Sequence, residues 1–470
     1  MLFNSSEFAF LVVITFVLYY VRKLQFLQVG LLLVSSLIFY AWAKPLLVVL
    51  LLLSILINGI CTFGVSKYQE HTKQKIIAWG GIIVNLGLLA FFKYNKLLIL
   101  TLHGDIQNLS EIEKIIYYLP LPVGISFFTF QGISLLIDVY REKTMDQNWI
   151  SKHPLKFLLD TGFFISFFPQ LVAGPIVKAK DFYPQIRTKH FKDINWMLVI
   201  QTLIVGYFLK MVVADNLKEH TQFMSFPAFW GMSGSHLALM LFGYSMQIFA
   251  DFAGYSLIAI GLAALFGYTL MDNFMFPYIS TSFQEFWTRW HISLSSWLKE
   301  YLYISLGGNR KGNVRTYFNL MVTMVLGGLW HGAAWSYAVW GAFHGLLLVV
   351  ERFLSHKIVL KPSRIFKVTK GIVVFTCVSL AWLLFRLPEF NHAVDYLRLM
   401  TAPSSFVFNP NAFYIVMYSL PVIVYHLLYL GRNQAFMQII QSLKPYLLGI
   451  MLFMILTNSG VPGSFIYFRF

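Results

Sequence analysis

A histidine stands inside an apolar stretch, in Leu329-Trp330-His331-Gly332. An ionisable side chain in apolar surroundings costs free energy, so it marks a functional site unless a neighbouring carbonyl holds it as a helix-packing group. Desolvation disfavours the imidazolium, which keeps the ring neutral near pH 7, and a neutral imidazole can take a proton from an attacking hydroxyl. A second histidine, His291, follows Arg289 and Trp290 in the aromatic tract 283–303. It reads either as a satisfied interfacial histidine or as a direct participant. Next, Gly307-Gly308-Asn309-Arg310-Lys311-Gly312 offers backbone amides and two cations, a set that can hold phosphate and that also occurs as a plain basic turn. Gln247, Asp251 and His344 are polar groups within apolar runs, suited to orienting an imidazole, lining a passage or joining helices. The sequence has no Gly-x-Ser-x-Gly elbow, no His-Glu-x-x-His pair, no Walker loop and no metal-ligand spacing, which argues against a serine hydrolase, a zincin and an ATPase. Cys61 and Cys377 lie in apolar runs as small core residues.

These groups must be positioned by membrane-embedded elements. The 470 residues are 58% hydrophobic and only 12% charged, with a mean hydropathy of +0.66. A soluble domain carries about twice that charged fraction. Apolar runs recur along the whole length, so the expectation is an all-α polytopic membrane protein with roughly eleven to thirteen membrane segments, forming a single membrane-embedded domain over 1–470. The net charge of +16 follows from Lys/Arg-rich cytoplasmic loops rather than from nucleic-acid binding, with a basic mouth for a phosphate-rich donor as a second contributor. Glu7 precedes the first apolar run and Arg22 and Lys23 follow it, an order that favours an uncleaved anchor whose start is outside.

Two basic stretches, 141–156 and 178–192, flank a single apolar run, 157–172. Both are cytoplasmic only if that run is re-entrant, and Pro169, Gly174 and Pro175 at its end are placed to break a helix. Arg310, Lys311 and Arg315 on one side, and Arg352 to Lys370 on the other, bracket a span long enough for a hairpin of two crossings. From Arg315 a helix rising about 1.5 Å per residue carries His331 roughly 24 Å into the membrane. The tract 283–303 places Phe283, Phe286, Trp290, Leu294, Trp297 and Tyr301 at helical spacing, with Glu285, Arg289, Lys299 and Glu300 on other faces, which predicts an amphipathic helix at the membrane interface.

The tract from Phe286-Trp287-Thr288-Arg289-Trp290-His291 to Gly307-Gly308-Asn309-Arg310, followed by Leu329-Trp330-His331-Gly332, resembles the membrane-bound O-acyltransferases, in particular the bacterial branch of alginate O-acetylases and peptidoglycan O-acetyltransferases. The stretches 121–131, 137–141, 167–176 and 465–470 carry the resemblance over nearly the full length. It implies a ring of tilted helices, with interfacial and re-entrant pieces, around a central tunnel. His331 matches the embedded catalytic histidine of the family, and His291 the second signature position near the donor entrance. Arg289, Asn309, Arg310 and Lys311 would attract the donor, and Trp290, Trp330, Gln247, Asp251 and His344 would line the tunnel or support it. The donor implied is cytoplasmic acetyl-CoA, used as a substrate with no tightly bound cofactor. The partners implied are a periplasmic acetyltransferase or acyl-acceptor protein and an envelope polysaccharide. The place implied is the bacterial cytoplasmic (inner) membrane. Lys299, Glu300, Ser305, Ala253 and Leu257 depart from the branch pattern, and Leu257 removes an acidic group. Two alternatives stand beside this reading. One is transfer of D-alanyl or another acyl group to a different envelope acceptor. The other is a glycan transporter or flippase, which requires paired intramembrane charges and half-helix repeats, neither legible in the sequence.

Overall fold

Lipid offers no partner to an amide, so an apolar run must close its hydrogen bonds within itself, and the chain forms helices. The computed structural model describes residues 1–470 apart from 43, 69, 105, 108, 142–152, 173, 358–362, 403–410, 432–433, 464 and 467–470. Most of the basic stretch 141–156, part of the basic stretch before Lys370, and the end of the 465–470 tract thus lie outside the described residues. The described residues are all-α, with one isolated bridge between Phe274 and Trp290. Among them, nine helices are long and apolar enough to cross a membrane. Other apolar runs form shorter helices, of 15 residues at Ser6–Tyr20, 17 at Ile125–Arg141 and 13 at Pro154–Ser166. Packing divides the chain into two compact units, residues 1–200 with 258–271, and residues 201–257 with 272–470.

In the first unit, buried amides and close backbone approach hold the helices together, as expected where hydrophobicity cannot drive association. Asn58 on Leu47–Lys67 and Asn85 on His71–His103 exchange side-chain hydrogen bonds of 3.1 and 3.0 Å. Any side chain at Gly132 would collide with Asn58, so Ile125–Arg141 can approach only because that position is glycine. Phe10, Val13 and Val17 of Ser6–Tyr20 are exposed, as a lipid-facing surface requires.

The 157–172 run forms two short helices, Pro154–Ser166 and Phe168–Leu171. Pro154–Ser166 spans about 20 Å at 1.5 Å per residue, short of a roughly 30 Å hydrocarbon layer. The helix breaks at Phe167, and the chain doubles back, so that Tyr183 meets Thr161 at 2.9 Å. The Lys180 amide donates to Asp138 at 3.3 Å, which brings the start of the second basic stretch beside the end of Ile125–Arg141.

In the second unit, Gly312–His331 and Trp335–Lys357 form the expected hairpin. Its two backbones touch, because a Cβ at Gly328 would strike the Tyr337 carbonyl and one at Gly341 would strike Met324. The tract 283–303 departs from expectation. It forms Phe283–Arg289, Ile292–Trp297 and a π-helical Leu298–Tyr303 rather than one helix. The break is at His291, whose backbone is left-handed at φ 45°. Phe286, Trp290, Leu294 and Trp297 are buried in protein instead of facing an interface.

Candidate active site

His331 closes the Gly312–His331 helix, and the chain leaves at Gly332 in an extended conformation. A Cβ at Gly332 would run into the Tyr337 ring, so any side chain there displaces Tyr337. The imidazole is 4% exposed and walled by rings, with centroids at 5.0 Å for Trp330, 5.3 Å for Trp340 and 5.1 Å for Phe385. Tyr337 backs Phe385 at 5.1 Å. Phe385 comes from Leu383–Arg386, which follows Arg364–Ala381.

His291 is the fourth neighbour, with its ring centroid 6.1 Å from that of His331. A left-handed backbone costs a non-glycine residue about 1–2 kcal/mol, and Asn273 offsets that cost. The Asn273 carbonyl accepts from the Ile292 amide at 2.9 Å, its Oδ1 accepts from the Ser293 hydroxyl at 2.6 Å, and its Nδ2 donates to Ser256 at 2.9 Å. Phe252 and Trp330 flank the His291 ring at 4.6 and 5.8 Å. His291 lies outside the nine candidate spans, and its complete burial lowers its pKa, so the ring is neutral.

Other predicted residues fall into three places. Trp290 packs on Phe286, Phe274 and Trp382. His344 lies one turn beyond Trp340, against Trp340 at 4.6 Å and Trp287 at 5.1 Å, and neither ring nitrogen finds a hydrogen-bond partner among the described residues. Glu351, on the same helix, accepts from the Phe283 and Gln284 amides at 3.1 and 2.9 Å and fixes the start of Phe283–Arg289.

Arg289 pairs with Glu285 at 2.9 Å and donates to the Met275 carbonyl and the Tyr429 hydroxyl. Burial would raise the Glu285 carboxyl, but hydrogen bonds from the Thr281 amide and Arg289 outweigh it and its pKa falls below the ordinary value. Asn309, Arg310 and Lys311 are exposed in the turn before Gly312–His331. They stand roughly 30 Å of helix from His331.

Gln247 and Asp251 belong to a third group, whose members Lys210 and Asp215 the sequence reading missed. Lys210 is buried between Asp215 at 2.7 Å and Asp251 at 2.8 Å. Asp251 Oδ2 also accepts from the Ile466 amide at 2.8 Å, and Gln247 accepts from Thr221. The expectation that paired intramembrane charges are lacking is therefore corrected. The signal was present, since Lys210 interrupts the apolar run 196–213 and an ionisable residue there calls for a partner.

The family model for membrane-bound O-acyltransferases matches residues 157–387. The probable alginate O-acetylase AlgI of Pseudomonas aeruginosa is 36% identical over 398 residues, covering 82% of this chain and 72% of its own. The peptidoglycan O-acetyltransferase of Helicobacter pylori is 36% identical over 388 residues, covering 78% of this chain and 73% of its own. The teichoic acid D-alanyltransferase of Bacillus subtilis is 29% identical over 287 residues, covering 57% and 70%.

Proposed function

The chain belongs to the membrane-bound O-acyltransferase family, a multi-pass membrane enzyme class, and from that premise we propose that it passes an acetyl group from cytoplasmic acetyl-CoA to a cell-envelope polysaccharide. The observation that carries this reading is the His331 imidazole, buried at a helix end and walled by Trp330, Trp340 and Phe385. A neutral imidazole there takes the proton of an attacking hydroxyl. The hydroxyl oxygen bonds to the thioester carbonyl carbon, the carbon–sulfur bond breaks, and the thiolate leaves with the proton from the imidazolium. Neutral His291 beside it helps set the ring's position without adding a competing charge.

Donor and acceptor arrive from opposite ends. Arg310, Lys311 and Arg315 mark one end of Gly312–His331, and basic ends face the cytoplasm. A phosphate-rich donor is drawn there by charge. Its acyl arm reaches inward along Trp335–Lys357, where His344 is a buried imidazole in want of a polar companion. His331 lies at the opposite end, where a periplasmic acceptor protein or the glycan itself presents its hydroxyl. The place is the bacterial inner membrane. Acetyl is favoured over D-alanyl because the acetylase relatives match 78–82% of the chain at 36% identity, against 57% at 29% for the D-alanyltransferase.

The test is purified protein in detergent with acetyl-labelled acetyl-CoA. Label transfer, or CoA release, that disappears in His331→Ala while the protein stays monodisperse is the expected result. Unchanged turnover in that variant removes His331 from the mechanism.

A further inference from the structure

The basic end of the Gly312–His331 and Trp335–Lys357 hairpin holds more positive charge than its acids neutralise. Between Lys299 and Lys370 stand ten Lys or Arg residues and only two acids, Glu300 and Glu351, so this end calls for an anion from outside the chain. Glu351 is already engaged by the Phe283 and Gln284 amides. Arg289, the guanidinium expected from the sequence, is engaged as well, by Glu285, the Met275 carbonyl and the Tyr429 hydroxyl.

Arg352 is placed differently. It is half-buried near the end of Trp335–Lys357, and its shielded Nε has no hydrogen-bond partner among the described residues. The end of the guanidinium stays open, and its fork matches two phosphate oxygens. Gly341 and Gly345 set this helix against Met324 and Met321 of Gly312–His331, and Arg352 lies three turns beyond Gly341 on the same face. Its charge acts on the Tyr303 hydroxyl, and the Tyr303 ring lies against Gly308, in the turn that leads to Arg310 and Lys311.

Distance from the chemistry selects which phosphate. Arg352 is twelve residues from Trp340, about 18 Å of helix. The Trp340 ring in turn is 5.3 Å from His331. An extended chain advances about 1.2 Å per bond, so the thirteen bonds from the sulfur of a pantetheine arm to its first phosphorus cover roughly 16 Å. A ribose phosphate on the same donor lies further out.

We propose that Arg352 holds the phosphate at the head of the donor's pantetheine arm, while Arg310 and Lys311 attract the donor without selecting that group. That the arm carries acetyl rests on the acyl-transfer reading, whereas the phosphate preference is measured without turnover.

The experiment uses the full chain purified in detergent and measures binding of CoA, 3′-dephospho-CoA, 4′-phosphopantetheine and pantetheine. The expected result is that the three phosphorylated ligands bind about tenfold or more tightly than pantetheine, with a smaller difference between CoA and 3′-dephospho-CoA. Arg352→Gln removes most of the preference while pantetheine still binds, and Arg352→Lys keeps part of it, because the charge stays and the fork is lost. Equal binding of 4′-phosphopantetheine and pantetheine overturns the proposal, as does binding of neither, or an Arg352→Gln variant that weakens both alike. A preference that survives Arg352→Gln, with less phosphatidylglycerol co-purifying, assigns the guanidinium to a lipid phosphate and overturns it too. Acetyl-CoA turnover on the same preparation separates the two readings. Preference without turnover defeats acyl transfer and leaves the phosphate site standing, and turnover without preference does the reverse.

Discussion

The His291 and His331 rings lie 6.1 Å apart, centroid to centroid, inclined at 47°. Each sits where a helix stops. His291 turns the chain between Phe283–Arg289 and Ile292–Trp297, and His331 ends Gly312–His331. Ring position at these ends is set by the backbone turn and the surrounding aromatic wall, so small changes there reach the chemistry.

The two histidines should therefore fail differently. Removing the proton acceptor in His331→Ala costs about 10²–10⁴-fold in turnover, the usual worth of general base catalysis. His291→Ala removes a neighbour and misplaces the base, for a loss of about 10–100-fold. Single-turnover transfer of labelled acetyl separates them. Equal losses in the two variants would place His291 at the reacting atoms instead.

Burial also makes His291 a pH-dependent contributor to stability. Its pKa is lowered in the folded protein from an ordinary 6.5. As pH falls below 6.5, the unfolded chain takes up the proton first, so the contribution is complete above that value and is lost on acidification. The loss proceeds at up to about 1.4 kcal/mol per pH unit. Asn tolerates a left-handed backbone and does not titrate. Thermal unfolding between pH 7 and 4 should show a steeper fall for the wild type than for His291→Asn. Parallel curves would mean that this imidazole is hydrated.

Much of the site was legible because it is written locally. Leu329 to Gly332 stands in an apolar run, the basic residues bracket the hairpin, and Pro169 and Pro175 mark the turn-back after 157–166. What was not legible depends on distant pairing. The Trp290–Phe274 bridge and the Asn273 hydrogen bonds break the tract 283–303, and periodicity within the tract carries no trace of them. Phe385 at His331 is likewise a tertiary fact, since nothing in Leu383–Arg386 by itself points to the imidazole.

The Lys210 cluster predicts non-additive stability. Lys210→Met leaves Asp215 and Asp251 buried without their cation, for a loss of about 3–5 kcal/mol. Adding Asp215→Asn and Asp251→Asn removes the orphaned charges and should recover most of that loss. Thermal unfolding of the single and triple variants in one detergent measures the coupling. Additive losses would show that water reaches and screens the cluster.

Gly332 tests whether the wall around His331 holds it in place. Its φ of −165° suits any residue, so alanine there brings no backbone strain. The added methyl meets the Tyr337 ring, Tyr337 backs Phe385, and Phe385 packs on the imidazole. Gly332→Ala should therefore lower turnover about tenfold or more through a displaced base, with a stability cost of about 1–3 kcal/mol from overpacking. Gly341→Ala crowds the same hairpin at Met324 and should cost comparable stability with a smaller effect on turnover. Turnover per folded molecule, compared between the two variants, decides the matter. Equal effects on turnover would mean that Tyr337 and Phe385 do not position the ring.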